Sequence, residues 1–300
     1  MPSGRFPSPA SPPSASAGTS DRPGILRLGA VGYLNARPHV FGLETRPRFA
    51  LRFDVPSRCA ELLHEGAMDV GLIPSIEYLH GDYRIVPGVA IASRGPVASV
   101  GLFTTRPIHQ VRSIALDTSS RTSVALVRVL CARAFGIQPV LEPSGPDLES
   151  MLARCDAALI IGDNALFMEA GKGPAAPADP SGVGGGGPLG VHKIDLGEVW
   201  TELTGLPFVY AFWAGRPDAL TAADVQALQR ARDAGLARID EIARGYSSEP
   251  ERQTIGARYL RDNIKCHLGA EERAGLELFY QYAVDAGAAP AARALRFYPG

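Results

Sequence analysis

Seven consecutive residues, Asp117-Thr118-Ser119-Ser120-Arg121-Thr122-Ser123, bring five hydroxyls and a guanidinium to a point where an apolar run gives way to a helical pattern. The first N–H groups of a helix have no intrahelical partner, and with hydroxyl donors beside them they form a site for an anion. Arg121 could add a two-pronged grip on a carboxylate. Capping a helix needs one or two such residues, not five, so the run reads as ligand contact with an acid. Spacing does not tell which hydroxyls face the ligand.

Other polar residues sit where strand patterns end, the place where open α/β sheets bind their ligands. Asn35 lies in Gly32–Pro38, and Asn between Gly and Pro is ordinarily a turn residue. Ser75 reads as a helix cap, Ser99 equally as an outward-facing strand residue, and Asp163 as a cap for the helix after Ile161. His39 fits a partly buried structural role. Motifs for a P-loop, a dinucleotide-binding turn, GxSxG or HExxH are missing from the sequence. Four separated cysteines (Cys59, Cys131, Cys155, Cys266) form no CxxC pair and six histidines are dispersed, which argues against a metal site and suits core cysteines in a reducing cytoplasm. A net charge of −1 provides no field for nucleic acid or an anionic membrane, and no apolar run approaches the roughly 18 residues of a membrane-spanning helix. The expected partner is a small molecule, with the oligomeric state open.

Alternating elements must position these residues. Residues 1–24 are rich in Pro, Ser, Ala and Gly, lack the apolar centre of a signal peptide, and are expected to be a disordered tail. Strand patterns follow over Ile25–Val31, Phe49–Val55 and Asp69–Ile73, with a helix from the Ser57 cap to Glu65. Extended segments are expected over Arg84–Ser93 and Ser99–Thr104. A second cycle gives strands at Ser113–Leu116, Pro139–Glu142 and Ala157–Ile161, with helices to about Phe135 and over Asp147–Arg154. Residues 171–190 form a Gly- and Pro-rich excursion. Val191–Leu196 and Phe208–Ala214 read as extended, and helices fill Thr221–Arg244, Pro250–Asn263 and Ala270–Gly287.

Strands alternating with helices indicate βαβ units and a mainly parallel sheet. Two such units followed by helices predict a two-lobed α/β clamp of the type 2 periplasmic-binding-protein kind, with its site in the interlobe cleft. Residues 25–103 would open the first lobe, 104–214 would form the second, and 215–300 would complete mainly the first, with two extended crossings near 93–105 and 206–216.

Six segments, GYLNARP (32–38), VPSRCAELLHEGAMDVGLIPSIEYL (55–79), RGPVASV (94–100), LDTSSRTSVAL (116–126), AALIIGDNAL (157–166) and DLGEVWTELTGLPFVYAFWA (195–214), resemble the chorismate dehydratases of the futalosine route to menaquinone. The resemblance spans about 25–215, weakens through the C-terminal helices, and is most specific in TSSRTSVAL and TGLPFVYAFWA. It implies a lyase that removes water from chorismate without metal or organic cofactor, a substrate carboxylate being suggested as the base. It implies that Asn35 and Ser99 are catalytic, and that Ser75, Thr118, Ser119, Arg121 and Thr122 bind substrate. TSSRTS and GPVAS point away from the sister 1,4-dihydroxy-6-naphthoate synthases. A cytoplasmic protein that only captures a small acid is the alternative from another class.

Overall fold

The computed structural model of the chain describes residues 24–168 and 190–299. The tail expected over 1–24 and the excursion over 171–190 lie outside the described residues, apart from Gly24 and Gly190. Two mixed sheets form. The first holds β1 (Leu26–Val31), β2 (Phe49–Asp54), β3 (Val70–Pro74), β4 (Arg84–Ile85) and β5 (Ile91–Ser93). The second holds β6 (Val100–Thr104), β7 (Ser113–Asp117), β8 (Val140–Ser144), β9 (Ala157–Ile161) and β10 (His192–Asp195). The chain then returns, and β11 (Phe208–Gly215) joins the first sheet between β3 and β4.

The expectation of a mainly parallel sheet is corrected by the two crossing strands. β1 pairs in parallel with β2 and β3, and β7 with β8 and β9, as βαβ units require. β6 runs antiparallel to β9 and β11 antiparallel to β3, because each enters its sheet from the opposite lobe. Sheet membership changes between Ser93 and Val100 and again between Asp195 and Phe208. Both changes precede the limits placed at 103/104 and 214/215.

Of the helices, α1 (Arg37–Val40) and α2 (Pro56–His64) belong to the first half. Ser57 was expected to cap α2, but Val55 is the capping position and Pro56 begins the helix, its fixed φ suiting the first turn. α3 (Arg121–Leu130) starts at a true cap, the Ser120 hydroxyl accepting from the Ser123 N–H, and runs into a wider single turn over Cys131–Phe135 that stops at left-handed Gly136. α4 (Leu148–Leu152) and α5 (Gly162–Leu166) are short. α6 (Leu196–Thr204) was not foreseen: its Asp195 cap accepts from Gly197 and Glu198, and Gly205 ends it. The single long helix expected over Thr221–Arg244 is two, α7 (Ala222–Leu236) and α8 (Ile239–Tyr246); the capping box of Thr221 and Asp224 opens the first. α9 (Pro250–Arg258) continues into another widened turn, Tyr259–Asn263, and α10 (Ala270–Asp285) ends the helical part. The largest core side chains meet where α6 and α10 cover β11: Phe208 lies 5.2 Å from Trp200 and 4.8 Å from Phe279, ring centre to ring centre, in edge-on pairs.

Candidate functional site

Between the sheets lies a narrow cleft lined by Tyr33, Asn35, Ser99, Ser120, Ser123 and Tyr210 among apolar residues such as Val31, Ile91 and Ile161. Asn35 reaches it from a 3₁₀ turn, Leu34–Ala36, that bridges β1 and α1. Ser99 reaches it from the other side, at the start of β6. Residues 64 positions apart in the chain thus share one wall-to-wall space.

Ser99 is held from two directions. Asp195 accepts the backbone N–H groups of Val97 (3.0 Å) and Ala98 (2.6 Å). Ala98 has φ +63°, the only described non-glycine residue at positive φ, a conformation that costs a residue with a Cβ about 1 kcal/mol or more. That cost is met by the Asp195 contacts, and it turns the chain so that the next side chain enters the cleft. From the opposite face the buried Tyr259 hydroxyl donates to Ser99 Oγ at 2.6 Å. Burial drives the Tyr259 phenol well above its ordinary value, while Ser99 and the Asn35 side chain pull it back. Asn35 Oδ1 is itself buried without a partner.

The hydroxyl run divides into two sets. Ser120 and Ser123, which belong to the run but are not among the residues the resemblance names, line the cleft. Ser119 accepts from the Tyr33 hydroxyl at 3.4 Å. Thr122 is fully buried, its Oγ1 accepting the Ile76 N–H at 3.1 Å and lying 3.3 Å from Ser75 Oγ. Ser75 donates to the Val209 carbonyl at 2.8 Å, so it caps no helix. Thr118 is exposed, and it borders an outer cavity together with Arg121. There Arg121 pairs with Glu77 (2.9 Å) and Glu61 (2.8 Å). Burial would raise the Glu77 carboxyl, but the hydrogen bond from His64 and the Arg121 charge hold it below its ordinary value. The structure therefore brings Asn35 and Ser99 together and turns Arg121 away from them.

Asp163 does more than the capping expected of it. From the first turn of α5 it accepts the Leu34 N–H at 3.1 Å and the Tyr246 hydroxyl. Burial raises its carboxyl, and these two donors oppose the rise. Beside it Gly162 has φ +65°, and a Cβ there would stand 2.7 Å from the Tyr33 ring, so only glycine lets Tyr33 close over this wall. A further backbone contact, Ser57 N–H to the Ser119 carbonyl at 2.9 Å, joins the halves. His39 is fully buried and held neutral, burial pushing it down to about 3. All four cysteines are free and buried. Among the described residues no three metal-ligating side chains converge, and no helix is long and apolar enough to cross a membrane.

A family model described as menaquinone biosynthesis matches residues 26–285. The chain belongs to that family. A chorismate dehydratase of Thermus thermophilus is 34% identical over 264 residues, covering 84% of this chain and 93% of the relative. Among solved structures, the alkanesulfonate-binding protein of Xanthomonas axonopodis pv. citri superposes with a TM-score of 0.61 at 15% identity, covering 90% of this chain and 96% of that one. The periplasmic aliphatic sulphonate-binding protein of Escherichia coli gives 0.56 at 19%, covering 92% and 94%. At such identities these two establish the fold alone: a two-lobed periplasmic-binding-protein-like α/β clamp, as the strand pattern implied. The protein is an enzyme of menaquinone biosynthesis.

Proposed function

We propose that this chain is a hydro-lyase that dehydrates chorismate to 3-[(1-carboxyvinyl)oxy]benzoate in the cytoplasm, the opening step of the futalosine route to menaquinone. One observation carries the reading: Asn35 and Ser99, borne by opposite lobes, face one cavity with the hydroxyls at the start of α3. The driving force for the reaction lies in the substrate, since loss of the ring C3 proton and the C4 hydroxyl makes the ring aromatic. What the protein supplies is orientation of a dianion and stabilisation of charge that develops on the ring and on the departing hydroxide. Apolar walls at Val31, Ile91 and Ile161 suit the ring. Ser120 and Ser123, with the N–H groups of α3, suit one carboxylate. Asn35 and Ser99 take the reacting edge. Ser119, Ser75 and Thr122 shape the wall through Tyr33, Val209 and Ile76, and Arg121 with Thr118 stays on the outer face. Purified protein incubated with chorismate, followed by chromatography, tests the reading: the aromatic enol ether and water-loss mass should accumulate, and binding without conversion would overturn it in favour of a small-acid-binding protein.

A further inference from the structure

We infer that Tyr259 is a positioning residue that fixes the direction of the Ser99 hydroxyl, so that Ser99 offers its proton, and not its lone pairs, to the cleft. The inference rests on the dehydratase reading and deepens it. Tyr259 stands in the widened turn Tyr259–Asn263, a form of helix that recurs at functional sites. Its ring is 2% exposed and its hydroxyl donates to Ser99 Oγ at 2.6 Å. From the same turn Asn263 Nδ2 donates to the Pro96 carbonyl at 2.8 Å, and Lys265 bridges to Ala92 through both backbone groups. One C-terminal turn therefore grips the whole crossing that ends at Ser99, opposite the grip of Asp195.

The polarity follows from counting donors. A hydroxyl has one proton; that of Tyr259 is spent on Ser99 Oγ, which is 1% exposed. Ser99 must then send its own proton elsewhere, and the cleft it lines is the open direction. Asn35 lines the same cleft, and its Oδ1 has no hydrogen-bond partner in the protein. A one-way relay results: Tyr259 O–H to Ser99, Ser99 O–H to the cleft. The Ser99 proton is thereby a donor in the cleft that Asn35, with its unpartnered acceptor Oδ1, also lines. A substrate hydroxyl fits both at once, giving its proton to Asn35 Oδ1 and accepting from Ser99. The second bond strengthens as the hydroxyl departs with negative charge, so it acts mainly in the transition state. Tyr259 keeps its proton throughout and only aims the donor.

A double-mutant cycle with chorismate tests this. Wild-type protein is assayed first: absence of conversion would remove the dehydratase reading itself. With conversion present, Tyr259→Phe should retain its melting temperature and bind chorismate within about 2-fold of wild type, while its single-turnover rate falls about 10–100-fold, the cost of a misaimed group. Ser99→Ala should be slower still, and adding Tyr259→Phe to it should change nothing further, because there is no hydroxyl left to aim. Effects that multiply in the double variant, unchanged turnover in Tyr259→Phe, or a Tyr259→Phe chain that does not fold would each overturn the inference while leaving the dehydratase reading in place.

Discussion

The carboxylate of Asp163 accepts the backbone N–H of Leu34 at 3.1 Å, tying the helix after β9 of the second sheet to the turn that carries Asn35. The contact spans 129 residues of chain and is reinforced by Tyr246. Asp163→Ala removes a carboxyl acceptor shared by the Leu34 N–H and the Tyr246 hydroxyl, an interaction worth roughly 1.5–3 kcal/mol when lost. Chorismate affinity should fall about 10-fold or more as closure loses its tie. Equilibrium binding measures this directly; unchanged affinity would show that closure depends on other contacts.

Arg121→Ala should act on stability and hardly on chorismate binding. Its two partners are carboxylates, and the Glu77 side chain is 2% exposed. Without the guanidinium, buried Glu77 keeps only His64, and breaking such a pair costs about 3 kcal/mol when both charges are buried, less here because Arg121 is partly exposed. A clear drop in melting temperature with unaltered affinity is the expected result. Weakened binding at unchanged stability would return Arg121 to the carboxylate-binding role that the resemblance gives it.

For Asn35→Ala, kcat and kcat/KM should fall together by about 10²–10³, the usual cost of one preorganised polar group at a reacting centre. Folding should survive, since Asn35 Oδ1 bonds no part of the protein. Normal turnover by the folded fraction would leave Ser99 as the principal group.

Acid stability should depend on Asp224. The Arg48 hydrogen bonds, foremost, and the Thr221 cap hold its carboxyl down at about 2. A carboxyl lowered by folding stabilises fully above its unfolded value near 4 and loses that contribution as pH falls from about 4 to about 2. The contribution is on the order of 2 kcal/mol at neutral pH. Asp224→Asn should thus destabilise at pH 7 and converge with wild type near pH 2 in chemical denaturation; a constant gap at all pH values would refute the assignment.

Local chemistry was legible in the sequence where neighbours in sequence are also neighbours in space. The Thr221–Asp224 box, the Gly136 stop and the strands of both sheets follow from patterns within a dozen residues. α6 had its own signal, Asp195 before the helix and Gly205 after it, masked by the extended pattern that leads into it. The orientation of Arg121 was not legible, because Glu77 and Glu61 lie 44 and 60 residues away and only the docking of α3 beside α2 brings them together. Tyr259 was invisible for the same reason: 160 residues separate it from Ser99. Asn35 and Ser99 came from resemblance, since turn chemistry alone gave Asn35 a bland role.

The placement of β11 bears on how the protein is made. Ser75 bonds Val209 across 134 residues, and β11 occupies an interior slot of the first sheet. On the ribosome, β1, β2 and β3 emerge first but leave the β3 edge bare until the return strand follows. The second sheet, contiguous from Val100 to Asp195, needs no such wait. Synthesis therefore runs against the grain of the fold: the lobe that starts the chain finishes last, and its uncovered edge during that interval is the segment most in need of protection from pairing with other chains.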